Sequence, residues 1–208
     1  MSWTLRALLL ILCLSVCAQA QTRTLGLYLQ YARDLDPVSN AVMHEELERL
    51  IAPAGLDIVW KRLSDRKAGE TFDLVAVTSF DGSCSLNRTL IDVPAAVSLA
   101  DTSISNGRIL PFFRIDCPYL LGMLGSQPDA ATFGRALARV AAHEIYHIVA
   151  QTVEHQERGV AKASFSAKDL TAARFELDSW SIERMRLNPA TVQVTSPASE
   201  ISDLQSGR

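Results

Sequence analysis

Val140-Ala141-Ala142-His143-Glu144-Ile145-Tyr146-His147-Ile148-Val149 lies inside a longer run that opens at Asp129, a residue suited to cap a helix. Phe133, Leu137, Val140, Ala141, Ile145, Ile148 and Val149 recur at three- and four-residue spacing, so the run is expected to be one long helix with an apolar stripe. His143 and His147 stand one turn apart on the same face. Two imidazoles so placed can reach one Zn2+ at about 2.0–2.1 Å. Glu144 sits beside the first of them, where a carboxylate can take a proton from a water without itself being a ligand. At average residue usage the pattern H-E-x-x-H arises in a random chain of this length roughly one time in 200, so helical context must carry part of the weight. Three of the chain's four histidines also fall within thirteen residues.

Upstream, Leu25 to Tyr31 reads as a first strand buried on at least one face. Asp36-Pro37-Val38-Ser39 opens a helix that carries Val42, Met43, Leu47, Leu50 and Ile51 and ends at Ala52-Pro53-Ala54-Gly55. Leu56 to Trp60 and Thr71 to Thr78 are expected to be the second and third strands, with Asp81-Gly82 breaking the third. Ala95 to Ala100, the Asn106-Gly107 turn and Arg108 to Ile115 form a hairpin pattern, in which Pro111 argues for an edge strand. Downstream, Leu170, Ala173, Leu177, Trp180, Ile182 and Met185 suggest one further helix, beginning near Ser166 to Thr171 and stopped by Asn188-Pro189. Trp60 and Trp180 are read as core aromatics, and His44 as lying on the solvated face of the first helix. Residues 188–208 lack sustained periodicity and read as a poorly ordered tail.

A catalytic zinc normally takes three protein ligands and keeps one position open, so a third ligand must be found. His155, eight residues past His147, is the leading candidate, reached if the chain folds back after the helix. Glu176, 29 residues past His147 on the later helix, is the rival, and Glu154 is a third possibility.

Ala142 to Gly159 resembles the active-site helix and following loop of the zincin metallopeptidases, nearer the metzincins than the thermolysin-like group. Metzincins carry a glycine three residues and a histidine six residues after the second ligand. Here Ala150 and Val153 occupy those positions, and His155 lies two residues further on. No clear counterpart of the metzincin methionine turn is found. The chain is also similar to exported bacterial proteins that carry this motif followed by segments like Gly159 to Lys162 and Phe165-Ser166. The resemblance implies an α+β, zincin-like single domain, with a small mixed sheet packed on the active-site helix and a C-terminal helix. It implies Zn2+ as cofactor, His143, His147 and His155 as metal ligands, and Glu144 as the catalytic residue, hydrolysing peptide bonds through a zinc-bound water. An extended peptide would add to an edge strand, with Ala95 to Ala100 or Pro111 to Ile115 as the candidates. A gluzincin-like arrangement would use Glu176, with Asp178 nearby.

The first residues carry a different signal. Arg6 precedes the apolar run Ala7 to Leu14, and Ala18-Gln19-Ala20 offers small residues at a signal-peptidase spacing. Residues 1–20 are therefore expected to be a signal peptide cleaved after Ala20, and residues 21–187 the metallopeptidase domain, secreted or periplasmic. Even carried on to Cys17 the apolar stretch is only about 11 residues, against the roughly 20 that span a bilayer. A lipoprotein using Cys17 is the lesser reading, because Val16 precedes it. Cleavage leaves Cys84 and Cys117, an even pair expected to be bridged in an oxidising compartment, with two buried thiols as the alternative. Losing Arg6 takes the net charge only from −3 to −4, and no basic cluster suggests nucleic acid or an anionic membrane as partner. The expected partner is a peptide or protein substrate. Asn87-Arg88-Thr89 is a glycosylation sequence only if the host glycosylates. Two other functions compete with the peptidase: an exported metal-binding domain of the same fold without catalysis, and an exported binding module whose histidines do no metal chemistry.

Overall fold

The computed structural model describes residues 22–31, 35–86, 98–125 and 127–188. Five strands, β1 (Arg23–Tyr31), β2 (Leu56–Arg62), β3 (Leu74–Asp81), β4 (Ala100–Ser105) and β5 (Arg108–Asp116), form one sheet in the order β2-β1-β3-β5-β4. β1, β2, β3 and β5 are mutually parallel where they pair, and β4 runs antiparallel to β5 at the far edge. Leu25 to Leu29 of β1 are buried in sequence, as expected for a strand with neighbours on both sides and cover on both faces.

Helix α1 (Pro37–Ile51) crosses between β1 and β2. The Asp36 carboxylate caps it by accepting from the Val38 and Ser39 amides, and Pro37 stands in the first turn, where a missing N–H costs nothing. Its Met43, Leu47, Leu50 and Ile51 are buried in the same core cluster as Leu25, Leu27 and Leu29. After α2 (Cys117–Leu124) the chain enters α3 (Ala130–Ala150), which packs along α1 on the same face of the sheet. The two helices touch at Gly134, where a Cβ would collide with the Ser39 carbonyl, and the Ser39 hydroxyl donates to the Ala130 carbonyl at 3.0 Å. On the opposite face the β2–β3 connection supplies cover: Phe72 meets Tyr28 edge-on, and the Tyr28 hydroxyl donates to Glu70 at 3.1 Å. The result is a mixed α/β domain with its main core between the sheet and α1 and α3.

Four sequence expectations need correction. The third strand starts at Leu74 rather than Thr71, because the Asp73 carboxylate turns aside to accept from the Thr24 amide at 2.7 Å. The hairpin is built around Asn106-Gly107, both at positive φ, but its first strand is Ala100–Ser105, and residues 95–97 lie outside the described residues. Pro111 is not on an edge: β5 is interior, and β4 is the edge. The proline is tolerated because the β4–β5 register breaks around it, passing from the pair Thr102–Phe113 to the pair Ile104–Ile109, while pairing with β3 begins only at Phe112. Finally, the single late helix is two: α4 (Ala167–Thr171), begun by a capping box between Ser166 and Asp169, and α5 (Ser179–Leu187), capped by Asp178.

Trp60 does pack against the core, whereas the readings of Trp180 and His44 shift. Trp60 is half-buried and stacks on His44 at 3.7 Å between centroids, so His44 is sheltered rather than solvated. Trp180 is exposed, with the Arg184 guanidinium over its ring at 5.1 Å. Cys84, just past β3, and Cys117, the first residue of α2, form a buried disulfide. The expected signal peptide, the sequence Asn87 to Thr89 and the tail from Pro189 lie outside the described residues. Among the described residues no helix is long and apolar enough to cross a membrane.

Candidate metal centre

Helix α3 delivers the first two imidazoles. Asp129 caps its start by accepting from the Thr132 amide at 2.8 Å, and every residue from Ala136 to Ala150 is buried, His143, Glu144 and His147 included. The helix stops at Gln151, which adopts the left-handed conformation at φ 48 and ψ 48. The Gln151 amide side chain holds that turn by donating to the Ile148 carbonyl at 2.7 Å and the Ile109 carbonyl at 3.3 Å. Reversal there brings the Thr152 carbonyl to His147 and, three residues on, His155 back toward the helix. The Tyr146 hydroxyl donates to the Glu154 carbonyl at 3.1 Å and pins the returning strand of chain.

A second loop reaches His143. The Gln156 amide donates to the Ala161 carbonyl at 2.8 Å, closing a tight loop around Gly159 at φ 72. A Cβ on Gly159 would approach the Glu176 carbonyl to 2.5 Å, the same oxygen that accepts from the Val160 amide at 3.0 Å. Close approach and positive φ together call for glycine at this position. The Val160 carbonyl is thereby fixed against the Nδ1 edge of the His143 ring.

One ligand atom from each of His143, His147 and His155 lies within 4.8 Å of the others. The His143 Nδ1 lies 2.8 Å from the Val160 carbonyl, and the His147 Nδ1 lies 2.6 Å from the Thr152 carbonyl. A carbonyl can only accept, so both Nδ1 atoms carry hydrogen, and both Nε2 atoms of the neutral rings present lone pairs. Those two Nε2 atoms stand 3.0 Å apart. Facing lone pairs at that distance repel, unless a proton or a cation lies between them. The proton is disfavoured: burial lowers the His143 pKa to about 4 and lowers that of His147. Tetrahedral zinc with bonds near 2.0–2.1 Å would separate its ligand nitrogens by about 3.3–3.4 Å. The donor set therefore fits Zn2+. His155 is exposed and differs from the other two in resting on a loop rather than the helix, its ring stacked on His143 at 5.2 Å.

Glu144 faces the cleft beside these rings. Burial raises its pKa to about 7, with nearby Asp101 adding to the rise and a hydrogen bond from Thr102 opposing it. The Thr102 hydroxyl donates to Glu144 Oε2 at 2.6 Å. The cleft encloses about 440 Å³ between β4, the histidines and the loop at Lys162 to Phe165, with Leu99, Tyr119, Met123 and Val140 giving it an apolar wall.

The rival ligands are elsewhere. Glu176 has a side chain 60% exposed and pairs with Arg49 at 3.3 Å, and Glu154 pairs with Arg184 at 3.7 Å. Asp178 caps α5. Three residues that matter had no weight in the sequence reading. Thr102 gave no signal. The Gln151 turn gave none either, because no glycine marks it. Arg139 did leave a trace, as a lone cation within an apolar helical run. It is fully buried, pairs with Glu46 at 3.0 Å and donates to the Asp169, Leu170 and Ala172 carbonyls at 2.8–2.9 Å. It thus ties the segment beyond the cleft to α1 and α3.

No known family description matches the sequence, and no curated protein matches it. Among solved structures the chain is similar to archaemetzincin from Methanopyrus kandleri, with a TM-score of 0.51 and 12% identity over 83% of this chain and 98% of that one. At such identity the likeness is one of fold.

Proposed function

We propose that this chain is an exported zinc-dependent metallopeptidase, with His143, His147 and His155 holding the metal and Glu144 acting as general base. The observation that carries the reading is the convergence of three imidazole nitrogens beside a buried carboxylate, in a cleft lined by β4, the last strand of the described sheet. The archaemetzincin-like fold supports it. A structural metal site would have no use for the buried Glu144 aimed into the same cleft.

Bound there, Zn2+ supplies a Lewis acid that polarises a scissile carbonyl and makes a water more acidic. The chain's own residues do the rest. The Val160 and Thr152 carbonyls fix both helical imidazoles in the tautomer that presents Nε2. Glu144, with a pKa near 7 in its buried setting, can take a proton from water near neutral pH and return it to the departing amine. The edge of β4, which pairs with no strand on its outer side among the described residues, can take up an extended peptide backbone, and the wall of Leu99, Tyr119, Met123 and Val140 can take an apolar side chain. Export rests on the leader sequence before Ala20, and the disulfide agrees with an oxidising compartment. We take residues 21–187 as the functional unit.

The test is a peptide-library cleavage assay on the purified mature protein with zinc measured in parallel. Glu144→Gln is expected to keep the metal and lose cleavage by about 10²–10⁴-fold, the usual worth of a positioned base. Equal cleavage by wild type and variant would overturn the assignment.

A further inference from the structure

We infer that Thr102 is a positioning residue, whose hydroxyl, aimed by the irregularity in the edge strand, holds the Glu144 carboxylate in the orientation used for proton transfer. The inference rests on the function proposed above.

The bond joins two elements far apart in sequence, β4 and α3, and at 2.6 Å it is a charge-assisted contact of a hydroxyl with a carboxylate. Among the described residues Thr102 is the one hydrogen-bond donor that Glu144 meets. A glutamate has three side-chain torsions to fix, and a single donor on one oxygen leaves the other oxygen turned to the cleft. The strand is shaped to place that donor. Thr102 pairs with Phe113, and the next recorded pair is Ile104 with Ile109, so β5 carries extra residues across the break. Pro111 lies among them and has no N–H to give to a ladder, which is why the register yields at this point. Bulges beside sites commonly redirect a side chain, and here the residue at the break is the one that points at α3. Its neighbour Asp101 is drawn the other way. Asp101 pairs with Arg114 at 2.7 Å, which keeps a second carboxylate occupied beside Glu144.

A simpler role for Thr102 is to satisfy a buried carboxylate and thereby support the fold. The two roles make different demands on three proteins, the wild type, Thr102→Val and Thr102→Ser, each as purified with zinc. If Thr102 positions the base, Thr102→Val keeps its zinc and stays folded, with only the modest loss of stability expected of a buried carboxylate deprived of one donor. It loses ~10- to 100-fold in kcat, the worth of a hydrogen bond to a charged group, with KM little changed. Thr102→Ser, which keeps the hydroxyl, restores most of the rate. The second readout needs no turnover: the 13C shift of the Glu144 carboxyl carbon, measured at one alkaline pH, moves in Thr102→Val and returns in Thr102→Ser. A wild type without cleavage would count against the peptidase reading while leaving the carbon shift to decide the positioning role. An unmoved shift in Thr102→Val, or equal losses in both variants, would overturn the inference.

Discussion

His44-Glu45 in α1 and His143-Glu144 in α3 are the same dipeptide in two helices, and their surroundings separate them. The His44 ring lies flat on Trp60, and its Nε2 is buried with no hydrogen-bond partner among the described residues. Glu45 is exposed. The His143 ring has its Nδ1 spent on a backbone carbonyl and its Nε2 aimed at two further imidazoles, while Glu144 is buried beside a cleft. Burial lowers the pKa of both histidines. A sheltered, neutral histidine is therefore common to both places. What sets the His143 site apart is the convergence of three imidazoles, and that depends on the loops after α3 as well as on the helix.

The largest effect expected from this contrast is at the two helical histidines proposed to hold the metal. His143→Ala or His147→Ala should reduce zinc content from about one per chain to near zero by metal analysis, because a catalytic zinc is normally held by three protein ligands and each variant leaves two. His44→Ala should leave it unchanged, and a loss there would erase the contrast. Next comes the loop that fixes the His143 tautomer. Gly159→Ala puts a Cβ against the Glu176 carbonyl at positive φ, and a destabilisation of about 2–4 kcal/mol is expected in denaturant titration. The same variant should weaken zinc binding by ~10–100-fold, as the loss of a ligand's outer partner does. Unchanged values in both measurements would show that the Val160 carbonyl is not needed.

The smallest effect is at His44. His44→Phe keeps the stack on Trp60 and removes the orphaned nitrogen, so stability should match the wild type or exceed it by up to about 1 kcal/mol at pH 8. The folded chain holds His44 below its usual pKa of 6.5, so the fold disfavours its protonation. Its share of stability is complete above about pH 6.5 and declines as pH falls below it, a decline that His44→Phe should flatten. NMR of the ring can check this directly, and a His44 that titrates at or above 6.5 would contradict the sheltered reading.

The elements that periodicity controls were legible. α3 and α1 announced themselves through apolar spacing and through Asp129 and Asp36 as caps, and β1 and β2 through short apolar runs. That His155 would lie beside His143 and His147 was within reach, because few residue types could serve as a third ligand. The route that brings it back was not. The turn at Gln151 uses a residue that seldom adopts a left-handed conformation, stabilised by its own amide on two carbonyls from different elements. The late helix misled for a similar reason. Leu170, Leu177 and Met185 are all buried as a helical stripe would be, but Arg139 takes the carbonyls of Asp169, Leu170 and Ala172, and Asp178 starts a new helix. Pro111 reads as the mark of an edge strand and is not one, since a bulge accommodates a proline as an edge does. Each miss is a case in which a distant group, invisible to local pattern, decided a backbone choice.

The arrangement of ligands is tested most directly by zinc stoichiometry for the wild type, His155→Ala and Glu176→Ala, measured side by side on the purified mature protein. About one zinc per chain is expected in the wild type and in Glu176→Ala, with tight binding lost in His155→Ala. Full retention by His155→Ala, or loss confined to Glu176→Ala, would contradict the three-histidine centre.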